Sequence, residues 1–159
     1  MATLATWPNP SVLDRVDGRY RGKIERDPEN VRIKVKENIA DFLDTKNPEI
    51  LVSTIYMIKN LGLDMYNGKM AVLLNNHTSE LVRSAALRAL NHLSYENVEV
   101  AIQKGMDDRS SHVRTTAIEL LPNLDIDKEN RKKMSDNFIL NKLIKNLFWK
   151  FRFITRKFN

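Results

Sequence analysis

Apolar positions in the middle of this chain recur with the period of a helix. Val31, Val35, Ile39 and Phe42 follow one another at spacings of four, four and three, which places them on one helical face. Leu51, Ile55, Ile58 and Leu61 form a second such face. Each run opens on a start signal, Asp27-Pro28 and Asn47-Pro48. A short polar side chain caps free N–H groups at the helix entrance, and proline at the first position gives up an N–H that has no helical partner there. Gly62 supplies a stop. Continued along the chain, the pattern predicts helices near 28–43, 48–61, 67–75, 79–93, 96–106 and 111–121.

The blocks starting at Pro48, Ser79 and Ser110 align without a gap at a spacing of 31 residues. Leu51, Val82 and Val113 coincide, as do Ile55, Ala86 and Ala117, and Ile58, Ala89 and Leu120. Shorter amphipathic segments lie between them, one with Met70, Leu73 and Leu74 and the other with Val98, Ala101, Ile102 and Met106. Each repeat therefore reads as a hairpin of a longer and a shorter helix. A hairpin of this size cannot bury its apolar face alone, and stacking on a neighbour removes that face from water.

Neither the TPLH turn of ankyrin repeats nor the spaced Trp, Leu-Gly, Tyr pattern of tetratricopeptide repeats is present. Val82-Arg83 is followed by Ala85-Ala86 and Leu90, and Val113-Arg114 by Ala117 and Leu121, with Asp107-Asp108 just before the second set. Over about residues 47–125 this resembles the short HEAT repeat. The resemblance implies an all-α fold, a right-handed α-solenoid of about three helical hairpins with an extended N-terminal lead-in. The first copy departs from the pattern, with Val52 at the arginine position and Ile55 at the alanine position. The lead-in, TWPNPSVLDRVDGRYRGKIERDP, is similar to a segment of large secreted bacterial multidomain proteins. In those proteins HEAT repeats accompany a sugar-dehydrogenase-like propeller and a c-type cytochrome domain, neither of which is in this sequence.

The expected organisation is a lead-in over 1–27, a repeat domain over 28–125 and a basic aromatic tail over 126–159. In the lead-in, Pro8 and Pro10 disfavour a continuous helix and Asp17-Gly18 is a turn signal. A lead-in without a polar capping repeat, and only about three repeats, give the expectation of a piece of a longer protein. As written, the chain is expected in the cytoplasm; as part of the secreted type it would be periplasmic or secreted.

Charge changes the functional picture once it is divided. The formal net charge is +6, but residues 131–159 hold nine basic residues and one acidic residue, leaving 17 basic and 19 acidic in the other 130. The body is thus slightly acidic, and nucleic-acid binding is not expected, because phosphates need a basic stripe. From Phe138 onward the chain is rich in Lys, Asn, Phe and Ile. Residues 138–151 carry Leu140, Leu143, Ile144, Leu147, Phe148 and Phe151 on one helical face. Three readings remain open for this tail: a cap on the end of the stack, a helix lying on an anionic membrane surface through its lysines and Trp149, or a non-native end.

Arg83 and Arg114 read either as ligand-binding arginines on a shared face or as register elements. The second is preferred: an arginine at each repeat start pairs with an acidic turn of a neighbour, and Asp107 and Asp108 are placed for this. Lys69, Glu99, Gln103 and Lys104 fall on the polar side of the shorter helices and are the expected partner contacts. Glu80 follows His77 by three residues and Glu96 follows His92 by four, but both pairs straddle a turn, so no metal site is expected. The chain has no cysteine, and no nucleophile elbow, glycine-rich phosphate loop or dinucleotide fingerprint. The expectation is a protein-binding or scaffold module that is no enzyme and carries no cofactor. A bilin lyase of the HEAT type, or the HEAT segment of a secreted haem-binding dehydrogenase-like protein, is the alternative.

Overall fold

The computed structural model describes Thr6, Trp7, residues 9–124 and, beyond them, Glu129, residues 132–134, Asp136 and Ile139. The protein is predominantly helical, and no strand is formed among the described residues. The helices are α1 (Glu29–Leu43), α2 (Pro48–Asn60), α3 (Asn67–Asn76), α4 (Glu80–His92), α5 (Val98–Met106) and α6 (Ser111–Leu120), with short 3₁₀ turns at Asp64–Tyr66 and Leu121–Asn123. All six lie within two residues of their predicted bounds.

Side-chain hydrogen bonds mark the starts of α1, α2 and α6. The Asn47 side chain accepts from the N–H groups of Glu49 and Ile50 at the entrance to α2, where Pro48 takes the first position. Asp27 accepts from the Glu29 N–H in the same way, and Pro28 already has helical backbone angles at the entrance to α1. The end of α2 carries two nested bonds, Leu63 N–H to Ile58 C=O and Gly62 N–H to Lys59 C=O. Gly62 permits them by adopting a φ of +65°. At the end of α4 that left-handed place falls to Ser94, with a φ of 50°.

Helix contacts run in two series. The longer helices follow one another, α2 on α4 and α4 on α6, while α3 packs on α4 and α5, and α5 on α6. The core lies between the series: Val82, Ala86, Ala89, Leu90, Ile102, Val113 and Ala117 are all fully buried. Ala86 and Ala117 are where the aligned blocks expected small residues at a close helix approach. Gly105 serves the same end from α5. A Cβ there would stand 2.6 Å from Leu87 Cδ2 and 3.0 Å from the Ala117 Cβ.

Two sequence expectations are corrected. In α1 the buried face ends on Leu43, 7% exposed, rather than Phe42, 38% exposed. The buried residues recur strictly every four positions, so the buried face drifts by about 40° per step around α1 and ends on Leu43, past Phe42. The repeat spacing is also uneven at the helix entrances: the N-caps are Asn47, Ser79 and Ser110, which are 32 and then 31 residues apart. The turns agree, because the residue two before each N-cap accepts from the N-cap N–H: Thr45 Oγ1, His77 Nδ1 and Asp108 Oδ1. The buried trio Leu51, Val82 and Val113 nevertheless keeps the spacing of 31. Relative to its cap, α2 is therefore rotated by one residue, about 100°.

The lead-in holds a tight turn. Asp14 N–H donates to Arg19 C=O and Arg21 N–H to Val12 C=O, bridging Leu13 and Tyr20. The Asp14 side chain gathers the N–H groups of Val16 and Asp17, and those bonds, with Arg21 beside it, hold its carboxyl below the ordinary value against a small effect of burial. Arg26 stacks over Trp7 at 4.2 Å from the ring centre. The amphipathic helix expected over 138–151 lies outside the described residues apart from Ile139. No helix among the described residues is long and apolar enough to cross a membrane.

Candidate binding cleft

The turn from α3 into α4 and the turn from α5 into α6 lie side by side and enclose a cleft of about 300 Å³. Leu74, Asn75, Asn76 and His77 line it from the first turn, and Lys104, Asp107, Asp108 and Arg109 from the second. Its floor is an ion pair between the turns. Arg83 donates from Nε to Asp108 Oδ2 and from Nη2 to Asp108 Oδ1, each at 2.8 Å. Both side chains are withdrawn from water, at 4% and 10% exposure.

The same guanidinium closes its own turn, since Nη1 donates to the carbonyls of His77 and Thr78. Arg114 repeats this at the next turn, donating from Nη1 to the carbonyls of Asp108 and Arg109. Each guanidinium thus ties two successive carbonyls of its turn to the helix that follows. Burial disfavours the Asp108 charge, but hydrogen bonds from Arg83 and the Ser110 N–H, with the charges of Arg83 and Arg109, outweigh it and hold the carboxyl below its ordinary value. The hydrogen bond to Asp108 raises the Arg83 guanidinium further, against the opposing effect of burial.

The expected arginine ladder is therefore half formed. Asp107 is not part of it: it is exposed and accepts from Gln103 at 3.3 Å. Arg114 bonds backbone carbonyls rather than an acidic side chain. Asp108 stands 25 residues beyond Arg83, and the residue in that relation to Arg114 is Ile139, which carries no charge. In the first turn the pair is replaced at both ends. Val52 aligns with Arg83 in the buried register and Leu51 does so only in distance from the helix cap, while His77 stands where Asp108 does relative to its cap.

Of the expected partner contacts, Glu99 and Lys104 are exposed. Gln103 is half-buried against Asp107, and Lys69 is half-buried and paired with Asp44 at 2.9 Å, so neither projects freely. Lys104 alone of the four lines the cleft. Arg109 and His77 were not singled out as contacts from sequence. They share no motif, and only the packing of one turn on the next brings them together. A second depression continues past Arg109 along Thr78, Ser79, Glu80 and Ser110, where Ser110 Oγ donates to the Glu80 carboxylate.

Among the described residues, no group of three His, Asp or Glu side chains is arranged to hold a metal ion. Comparison of the chain with protein-family models, with curated proteins and with solved structures finds no match.

Proposed function

We propose that this chain is a right-handed α-solenoid of the HEAT type that binds a protein partner and catalyses no reaction. The observation that carries the reading is the turn built twice, by Arg83 and by Arg114. Each donates from Nη1 to the two carbonyls six and five residues before it. Two turns closed in the same way, in helices that follow one another in contact, are what a stack of like hairpins requires. Such a stack exposes an extended surface made of many short elements, suited to a protein surface rather than to enclosing a small substrate. The exposed Glu99 and Lys104 belong to that surface.

The test is site-specific photo-crosslinking in cells that naturally make the protein. A photoreactive residue at position 99 or 104 is expected to give discrete protein adducts, and one at Ile33, exposed on α1, none. Equal yields at all three positions, or no adduct from positions 99 and 104, would sink the proposal.

A further inference from the structure

The hydrogen-bonding groups of the cleft do not balance. Its buried acceptors are used, while the carbonyls of Leu74, Asn75 and Asn76 at the end of α3 receive no hydrogen bond among the described residues. The Leu73 carbonyl takes the His77 N–H, those of His77 and Thr78 take Arg83, and those of Asp108 and Arg109 take Arg114. The Asp108 carboxylate accepts from Arg83 and the Ser110 N–H, and the exposed Asp107 accepts one amide N–H from Gln103 at 3.3 Å.

Apart from Arg83, its charged donors are little used. Among the described residues, Lys104 Nζ makes no hydrogen bond or ion pair, and Arg109 spends one N–H on the Thr78 carbonyl at 3.2 Å. His77 accepts the Ser79 N–H at Nδ1, which leaves Nε2 carrying the ring proton as a donor. Asn75 and Asn76 add carboxamides at the same rim.

We propose that this cleft receives a carboxylate side chain from an acidic segment of the protein partner, held by Lys104, Arg109 and His77. The proposal rests on the protein-binding reading above. A planar carboxylate suits the fork of Arg109, and charge-assisted hydrogen bonds of this kind are about twice as strong as neutral ones. The volume, about 300 Å³, is at the lower limit for small-molecule pockets and fits one side chain better than a cofactor. A nucleic-acid strand fits less well, because Lys104, Arg109 and His77 are gathered at one place and do not form the continuous basic stripe that successive phosphates need.

The experiment measures fluorescence anisotropy of a labelled octapeptide of alternating Glu and Gly on the full chain, in low salt. A Lys/Gly peptide and a phosphoserine/Gly peptide serve as the other arms. The double variant Lys104→Glu/Arg109→Glu is expected to weaken binding of the Glu peptide at least tenfold. The charge-matched control Lys34→Glu/Lys36→Glu, exposed on α1, is expected to change it less than twofold. Amide shifts on titration should cluster at residues 75–79 and 104–110. Equal losses in the two variants would assign the binding to general charge and overturn the proposal, as would no loss in either or no binding of the Glu peptide. Tighter binding of the phosphoserine peptide through the same residues would overturn the choice of carboxylate. Lys104→Ala/Arg109→Ala, removing charge without reversing it, guards against a folding artefact. Crosslinks from position 99 do not involve the cleft, so they persist if only this inference fails.

Discussion

Arg83 and Asp108, 25 residues apart, meet through two parallel hydrogen bonds of 2.8 Å and join one inter-helix turn to the next. Taking two charges out of water costs several kcal/mol per ion, and the geometry recovers that cost only while both partners remain. Arg83→Leu or Asp108→Ala is therefore expected to lower stability by about 1–3 kcal/mol, since each leaves a charge withdrawn from water with only part of its hydrogen bonds. Arg83→Leu/Asp108→His, which copies Leu51 and His77 of the preceding turn, should recover at least half of the summed loss. Urea midpoints of the four proteins check this, and strictly additive losses would refute the pairwise account.

The same pair predicts a dependence on pH. The folded Asp108 carboxyl titrates below its ordinary value, so its contribution is complete above the unfolded value, about 3.9, and is lost as pH falls through the lower folded one. Stability measured by urea titration should fall below about pH 4. In Asp108→Asn that acid limb should be shallower, because the group that takes up the proton is gone.

Gly105→Ala sets two effects against each other. Alanine gains about 1 kcal/mol of helix propensity over glycine, but overpacking a filled core costs about 1–3 kcal/mol. Leu87 and Ala117, the atoms a Cβ would meet, are both fully buried, and a Cβ on Ala117 moves only with its backbone. Overpacking should win, with a lower melting midpoint for Gly105→Ala. A rise would show that α5 has room to retreat.

Ala86→Leu and Ala117→Leu test the approach of the longer helices directly. Both alanines are fully buried, and each substitution is expected to cost about 1–3 kcal/mol. Unchanged denaturation midpoints for both would contradict the placement.

The two helix ends with left-handed residues give a paired prediction of opposite sign. A side chain in that conformation costs roughly 1–2 kcal/mol, so Gly62→Ala should destabilise by about that amount. Ser94→Gly relieves the same strain but frees the unfolded chain, which leaves a net gain of at most about 1 kcal/mol. Thermal melts of both variants decide it, and a loss in Ser94→Gly would mean that the serine side chain supports the turn.

The sequence by itself determined the helices and much of the core. Spacings of three and four, Asn47-Pro48 and Gly62 are local signals, fixed by which backbone groups a helix leaves unpaired and by which face can leave water. The burial of Ala86 and Ala117 was legible for the same reason, as small residues recurring at one position of aligned blocks. Even the acidic turn that pairs with Arg83 was legible, with Asp107 and Asp108 both placed for it and no choice made between them. Tertiary structure made that choice, because only the packing of the α5–α6 turn against the α3–α4 turn aims one carboxylate inward and leaves the other to Gln103. It also decided that Leu43 and not Phe42 is buried, that α2 is rotated by one residue against its cap, and that Lys69 is engaged by Asp44. The cleft belongs wholly to this second level. Its unused donors come from residues about 30 positions apart that share no motif, and hydrogen-bond accounting across two turns begins only when both turns are in place.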